Sequence, residues 1–141
     1  MVGVVKIGFT GTQNGMSGPQ LIKLNEAFEK IVASVGPGEF HHGDCVGADS
    51  EAATLARSHG FRIIGHPPTV YDKRAFFASD FDHMPLPYLK RNHVIVEMTD
   101  KLLVAPKTLT EERRSGTWAT FRYAMKLGKS MTIFYPNGFV S

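Results

Sequence analysis

Short apolar runs alternate with longer amphipathic segments along the whole chain. The first run, residues 4–9, is rich in β-branched side chains and stops at a glycine-rich turn, Thr10 to Gly15, which is typical of a strand followed by a loop. Pro19 opens the next segment, where apolar residues recur at spacings of three and four until Gly36. We therefore predict one strand and one helix in this first part of the chain.

The same unit recurs down the chain. Further strands are predicted at residues 39–42, 62–66, 101–105 and 131–135, with helices at residues 48–59, 86–98 and 116–127. Strands that are apolar almost throughout are typical of a parallel sheet, because the crossover helices cover both of its faces. The pattern predicts an α/β fold: a doubly wound, mostly parallel, Rossmann-like sheet of about five strands with helices on both faces.

Two segments do not resemble ordinary connections. Residues 67–85 carry four aromatic residues among charged ones, and a segment of this length either covers a site or contains a short helix. We expect it to fold over the ligand-binding edge of the sheet, where its aromatic side chains would exclude water. Residues 107–114 form a second, charged loop.

Composition narrows the class of protein. A length of 141 residues is typical of one domain, so residues 1–141 are expected to form a single unit. The apolar runs are far shorter than the roughly 20 residues of a membrane span, and the first residues lack the pattern of a secretory signal. The single cysteine, Cys45, cannot form an internal disulfide. We expect a cytoplasmic protein without a membrane partner.

The charge balance is mildly basic. Sixteen Lys and Arg residues against 13 Asp and Glu residues give a net charge of +3, which suits a phosphorylated small molecule and does not require nucleic acid. The basic residues are dispersed, and the only dense group near an expected loop is Lys107, Arg113 and Arg114.

The loops that follow the strands are the candidate site, because ligands of open parallel sheets bind beyond the carboxyl ends of the strands. Several of these loops are rich in Gly, Ser or Thr and lead into a helix, whose amino terminus is an anion site. Thr10, Gly11 and Thr12 of the first loop and His66 of the third are assigned to ligand binding. The first loop has neither the dinucleotide nor the P-loop spacing, so the alternative is that its glycines only form the turn.

In the second loop, Gly43 and Gly47 allow the backbone to approach a ligand, and Asp44 and Asp49 place two carboxylates around a helix start. Asp49 is a ligand-binding candidate whose alternative role is the N-cap of the helix. Asp44 follows a strand end, and we expect it to accept hydrogen bonds from sugar hydroxyls, as acidic residues do in dinucleotide sites.

The loop before the last helix combines three features of a phosphate site. Ser115 is a candidate N-cap, Gly116 allows close approach, and Arg114 is placed to bind a phosphate through two hydrogen bonds. We place the phosphate on the N–H groups of Gly116 and Thr117. The alternative is a capped helix with solvated arginines.

Metal and nucleophile hypotheses are weaker. His41 and His42 lie beside Asp44 and Cys45, but neighbouring strand residues point to opposite faces and cannot easily share one ion. Cys45 is interpreted as a small buried hydrophobic residue and not as a nucleophile. We therefore predict no metal and no resident cofactor.

Three stretches carry a family resemblance. They are residues 42–49 followed by an alanine-rich helix, then Arg91 and Asn92 ahead of an apolar strand, then Glu111, Ser115-Gly116-Thr117 and Gly128-Lys129. In order and spacing they resemble the SLOG superfamily, most closely the Rossmann domain of DNA-processing protein A (Smf). The resemblance covers nearly the whole chain, implies the same fold, and adds Arg91 and Asn92 to the ligand-binding residues.

The superfamily implies three kinds of function: sensing of nucleotide-derived signals, phosphoribohydrolysis as in the LOG enzymes, and single-stranded DNA binding. The LOG hallmark is only partly present, because Thr120 stands where the catalytic glutamate is expected. Cleavage of an N-glycosidic bond needs a carboxylate, for which Asp44 and Glu111 are the candidates. Single-stranded DNA binding is the less expected of these functions, because the Lys and Arg residues form no concentrated basic stripe along the sequence.

The sequence therefore favours binding of a nucleotide or nucleotide-derived phosphorylated ligand. The alternatives are a nucleoside 5′-phosphate N-glycosidase and a single-stranded DNA binder, and assembly into a homo-oligomer stays open.

Overall fold

The structure is a computed structural model and describes residues 3–141. Its elements in chain order are β1 (Lys6–Gly11), α1 (Gly18–Val35), β2 (Glu39–His42), α2 (Ala48–Ser58), β3 (Arg62–Gly65), β4 (Phe81–Asp82), α3 (Tyr88–Met98), β5 (Lys101–Ala105), α4 (Gly116–Lys126) and β6 (Ser130–Ile133). The strands form one six-stranded parallel sheet in the order β4-β3-β2-β1-β5-β6.

The chain builds this sheet outward from β1 in two directions. It first adds β2, β3 and β4 on one side, and then crosses back to add β5 and β6 on the other. Ile7 therefore pairs with Phe40 on one side and with Lys101 on the other. The connections diverge beyond the carboxyl end of β1, and such a reversal of strand order is where ligands bind in open α/β sheets.

The predicted doubly wound α/β fold is confirmed, with one strand more than the sequence pattern indicated. Strand β4 lies inside the 67–85 segment and pairs with β3 through Ile64 to Phe81 and Gly65 to Asp82. A strand of two exposed residues carries no detectable periodicity. Strand β1 also runs further than expected, through Thr10 and Gly11, which pair with β5.

Two hydrophobic clusters hold the helices on the two faces of the sheet. Alternate residues of β5 point to opposite faces: Leu102 and Val104 pack in the cluster that includes Trp118, whereas Leu103 and Ala105 pack in the cluster that includes Phe28. Because both faces of β5 are buried, this strand is apolar at nearly every position.

A buried glutamine ties the first helix to two loops at the ligand-binding edge. Ser17 caps α1 in a capping box with Gln20. The side-chain amide of Gln20, which is 1% exposed, donates to the carbonyl oxygens of Pro106 and Phe134 at 2.6 and 2.8 Å. These bonds fix the positions at which the chain leaves β5 and β6.

Residues 67–85 contain no helix and run along the outside of the β2–α2 loop. The amide of Val46 donates to the carbonyl of Lys73, and the amide of Ala75 donates to the carbonyl of Asp44, each at 2.8 Å. The chain then turns into β4 at the sheet edge. Among residues 3–141 no helix has the length and apolar character needed to cross a bilayer.

Candidate ligand-binding site

An open cavity of about 940 Å³ lies beyond the carboxyl end of β1. Its walls come from the end of β1 and the following loop, the β2–α2 loop, the first half of α3, and the β5–α4 loop with the start of α4. Eleven sequence-predicted residues line it: Thr10, Gly11, Thr12, Gly43, Asp49, Arg91, Asn92, Arg114, Ser115, Gly116 and Thr117. The fold thus brings together loops that are up to 100 residues apart in sequence.

The start of α4 presents backbone donors to this cavity. Ser115 is the N-cap, and its hydroxyl accepts a hydrogen bond from the amide of Trp118 at 3.2 Å. The amides of Gly116 and Thr117 precede that bond, and first-turn N–H groups have no acceptor within their own helix. A Cβ atom added to Gly116 would meet no atom within 4 Å, so the space above this helix end is open.

Basic side chains surround the same helix end. Lys107, Arg113 and Arg114 line the cavity from the β5–α4 loop, and Lys73 lines it from the opposite wall. Within residues 3–141, none of these four forms a salt bridge to a carboxylate. The cavity therefore has free positive charge beside a helix amino terminus, which favours an anion.

Arg91 is a buried brace in the cavity wall. Its guanidinium group donates to the carbonyl oxygens of Gly43 and His66, the latter at 3.1 Å, and to the side chain of Asn92 at 2.7 Å. A Cβ atom on Gly43 would lie 2.6 Å from this guanidinium group. The glycine at position 43 therefore makes room for Arg91, which joins the ends of β2 and β3 to α3.

Asp49 holds the β2–α2 loop in shape. Its Oδ2 atom accepts hydrogen bonds from the amides of Gly43 and Cys45 at 3.0 and 3.2 Å. The N-cap of α2 is Gly47, so the alternative that Asp49 is the N-cap is wrong. Burial raises the pKa of Asp49 to about 6, although the charge of Arg91 and the two amide donors oppose the shift.

Asp44 lies outside the cavity lining. Its carboxylate is 1% exposed, and both oxygens are engaged within the chain, Oδ2 by Arg74 Nε at 2.8 Å and Oδ1 by the amide of Phe77 at 2.9 Å. Asp44 also has a φ of 56°, which Asp tolerates better than most residues. The residue expected to contact a sugar instead anchors the 67–85 segment.

Four other positions discussed in the sequence analysis also lie outside the cavity lining. They are Gly47, which has a φ of 86° and packs closely against the carbonyl of Gln13; His66, whose ring stacks with His41 and His83; Glu111, which pairs with Arg122 at 2.6 Å; and Thr120, whose buried hydroxyl donates to the carbonyl of Gly116. Each has a partner within the chain.

The histidines next to the cavity, His41, His42 and His66, are buried. His42 accepts a hydrogen bond from the amide of Asp44 at 3.0 Å and shares a 2.9 Å bond with Ser79. Burial lowers the pKa of His42 to about 4 and that of His66 to about 3. Within residues 3–141 no group of three or more His, Cys, Asp or Glu side chains is arranged to hold a metal ion.

Solved structures share this architecture. No protein-family model matches the sequence, and no curated protein matches it. The molybdenum cofactor binding protein of Rippkaea orientalis superposes with a TM-score of 0.67 at 19% identity, over 96% of this chain and 77% of that one. The molybdenum cofactor carrier protein of Chlamydomonas reinhardtii gives 0.65 at 22% identity, over 92% and 76%. DNA processing protein A of Streptococcus pneumoniae gives 0.68 at 19% identity, over 92% and 50%.

The chain shares a Rossmann-like fold with these proteins. At these identities the comparison shows architecture and says nothing about which ligand occupies the cavity. The predicted resemblance to the SLOG superfamily is therefore confirmed at the level of the fold.

Eleven of the 22 residues that line the cavity were not among the sequence-predicted site residues. Lys73, Tyr88 and Glu112 all line it. Tyr88 begins α3, and helices that follow parallel strands begin at the ligand-binding edge, so its position was a usable signal. Lys73 had no such signal, because it reaches the cavity only through the pairing of its segment with the β2–α2 loop.

The aromatic residues of the 67–85 segment do not cover the cavity. Of that segment only Lys73 lines it. Tyr71 and Phe76 are 63% and 60% exposed and contact the guanidinium group of Arg74. The segment contributes the positive charge of Lys73 to the site and does not cover the cavity.

Proposed function

We propose that this protein binds a nucleotide or nucleotide-derived phosphorylated ligand, with the phosphate on the amides of Gly116 and Thr117. The observation that carries the proposal is the open amino terminus of α4 inside a cavity lined by Lys107, Arg113 and Arg114. Helix amides supply directed donors, and an arginine can bind two phosphate oxygens at once.

The size of the cavity supports a ligand larger than a phosphate ion. About 940 Å³ is at the upper end of the range of about 300–1,000 Å³ that small-molecule sites occupy. Tyr88, Leu89 and Ile95 give the α3 wall apolar surface, which suits the rings of a nucleotide. A cytoplasmic location is part of this proposal.

Binding is favoured over N-glycosidic cleavage by the positions of the carboxylates. Asp44 and Glu111, the catalytic candidates, are paired with Arg74 and Arg122 and do not line the cavity. The buried Thr120 takes the place of the glutamate in the LOG hallmark. The carboxylates that do line the cavity are Asp49, which accepts from two backbone amides, and Glu112, and neither stands where the sequence placed a catalytic carboxylate.

Isothermal titration calorimetry tests the proposal. The panel contains the four ribonucleoside 5′-monophosphates, the corresponding nucleosides and inorganic phosphate. It also contains the molybdenum cofactor and a single-stranded oligonucleotide, because similar structures include molybdenum cofactor proteins and DNA processing protein A, described for Helicobacter pylori as binding single-stranded DNA. We expect at least one phosphorylated ligand to bind and its dephosphorylated form to bind far more weakly.

Three results of that panel would decide against the proposal. Equal affinity for a nucleotide and its nucleoside would show that the phosphate does not contribute to binding. An oligonucleotide that binds more tightly than every monophosphate, with a steep salt dependence, would assign the cavity to single-stranded DNA. Release of free base during the titration would show that the protein is an N-glycosidase instead.

A further inference from the structure

The two carboxylate oxygens of Asp49 differ in their hydrogen bonding. Oδ2 accepts both backbone hydrogen bonds of this side chain, and Oδ1 has no hydrogen-bond partner among residues 3–141. The residue is only 5% exposed. Among the described residues, every fully buried side-chain oxygen has a hydrogen-bond partner, so Oδ1 is not fully buried. Since Asp49 lines the cavity, Oδ1 must be open to that cavity.

A largely buried carboxylate with one oxygen open to the cavity is an unusual feature where most of the charged lining residues are basic. A second phosphate would be repelled by its charge, so the group that meets it must be a hydrogen-bond donor. A bound cation is disfavoured as well, because Arg91 already places a positive charge beside Asp49. The remaining choice is a neutral donor on the ligand, and burial without such a donor is costly for a carboxylate.

The topology places this acceptor beside the phosphate site at a suitable distance. Asp49 follows β2 and the start of α4 follows β5, and these two strands flank β1 on opposite sides. Two strand spacings set the carboxyl ends of β2 and β5 about 10 Å apart, and Asp49 and the start of α4 line the same cavity. A ligand that reaches both must be larger than a phosphate ion, as a sugar that carries its own phosphate is.

We infer that Asp49 Oδ1 accepts a hydrogen bond from a ribose hydroxyl of the ligand, so that the site selects ribonucleotides over deoxynucleotides. This inference rests on the proposed function and deepens it by naming the sugar. It also gives Asp49 the sugar contact that the sequence assigned to Asp44.

The decisive measurement uses the unmodified protein. The ribonucleoside 5′-monophosphate that binds most tightly is compared by calorimetry with its 2′-deoxy and 3′-deoxy analogues. A hydrogen bond to a charged group is worth enough to predict a loss of about 10- to 100-fold for at least one analogue. Three equal affinities would overturn the inference while leaving phosphate binding intact, whereas binding by no monophosphate would overturn the proposed function together with it.

Asp49→Asn provides the matched variant. The amide oxygen of Asn can still accept from the amides of Gly43 and Cys45, so the loop keeps its brace, but the group facing the cavity becomes an uncharged NH₂ donor. We expect the variant to lose most of its preference for ribose while its affinity for the deoxy analogue changes little. An unchanged ribose preference would contradict the inference.

Asp100→Asn is the control. Asp100 lies just before β5 and accepts from the amide of Lys6, at the opposite edge of the sheet, so this substitution removes the same charge far from the cavity. It should leave both affinities as in the original chain. If Asp49→Asn does not fold, as judged by circular dichroism, the comparison of ribo and deoxy ligands on the unmodified protein still decides.

Discussion

Arg74 and Asp44 form an ion pair in which Nε lies 2.8 Å from Oδ2 and the carboxylate side chain is 1% exposed. The pair joins the 67–85 segment to the loop after β2. It also holds the neighbouring Lys73 at the cavity wall.

Arg74→Ala is expected to destabilise the protein strongly. It leaves a buried carboxylate without its counter-charge, and removal of one partner of a buried pair costs about 3–5 kcal/mol. Urea denaturation measures the loss. Arg122→Ala is the control, because its pair with Glu111 is 39% and 47% exposed and should be worth less than about 1 kcal/mol. Similar small losses in both variants would show that the Asp44 pair has no structural role.

Arg114→Ala is expected to weaken a phosphorylated ligand by about 10- to 100-fold and to leave the corresponding nucleoside unaffected, because in the proposed site the arginine contacts only the phosphate. Calorimetry on both ligand forms measures this. Lys126→Ala removes a positive charge at the other end of α4 and should change neither affinity. An equal loss for nucleotide and nucleoside would move the phosphate away from Arg114.

Gly116→Val is expected to block binding and to preserve the fold. A Cβ atom at this position meets nothing within 4 Å, so the added side chain occupies cavity space and strains no neighbour. The midpoint of thermal unfolding should stay close to that of the original chain while nucleotide binding disappears. Retained binding would show that the ligand does not approach the backbone of α4.

Acid is expected to destabilise the protein between about pH 6.5 and pH 4. The pKa values of His42 and His66 are lowered from 6.5 to about 4 and about 3, so only the unfolded chain takes up these two protons over that interval. Asp49 opposes the trend, because its raised pKa of about 6 lets the folded state take up a proton first. For these three groups the net difference is about one proton, which contributes about 1.4 kcal/mol per pH unit near pH 5, and the lowered pKa of His41 and the raised pKa of Asp82 act in opposite directions.

Urea denaturation at pH 7.5, 6.0, 5.0 and 4.5 at constant ionic strength measures this slope. A free energy of unfolding that stays constant or rises toward pH 4.5 would mean that the buried histidines are charged in the folded state.

Gly47→Ala is expected to cost more than Gly128→Ala. Both glycines have positive φ, 86° and 69°, and a left-handed conformation costs a non-glycine residue about 1–2 kcal/mol. A side chain at position 47 also collides with the carbonyl of Gln13, whereas none meets an atom within 4 Å at position 128. The free energy of unfolding is measured by urea denaturation. Equal losses in the two variants would show that the loop that contains Gln13 can move away from a side chain at position 47.

The sequence was sufficient to predict the fold because five of the six strands include buried residues, and short apolar runs or the glycine-rich turns that follow them mark these strands in the sequence. Strand β4 was missed because its two residues, Phe81 and Asp82, are exposed. They pair with β3 only because the preceding segment follows the β2–α2 loop back to the edge of the sheet.

The position of the site was also predictable, since parallel strands place their following loops at one edge. Individual roles were harder to assign. Asp44 and Asp49 stand in the same loop, and only the tertiary contacts distinguish them: Arg74 comes from 30 positions away to pair with Asp44. Long-range contacts of this kind leave no trace in local spacing.

The β5–α4 loop, the proposed phosphate site, is fixed at both ends before any ligand arrives. Gln20 holds the carbonyl of Pro106, and the indole N–H of Trp118 donates to the hydroxyl of Thr108 at 3.1 Å, with Ser115 closing the helix end. Ordering a flexible loop on association consumes binding free energy as lost conformational entropy. Because folding has already restricted this loop, a ligand that reaches α4 meets a preorganised partner and keeps most of the free energy of its contacts as affinity.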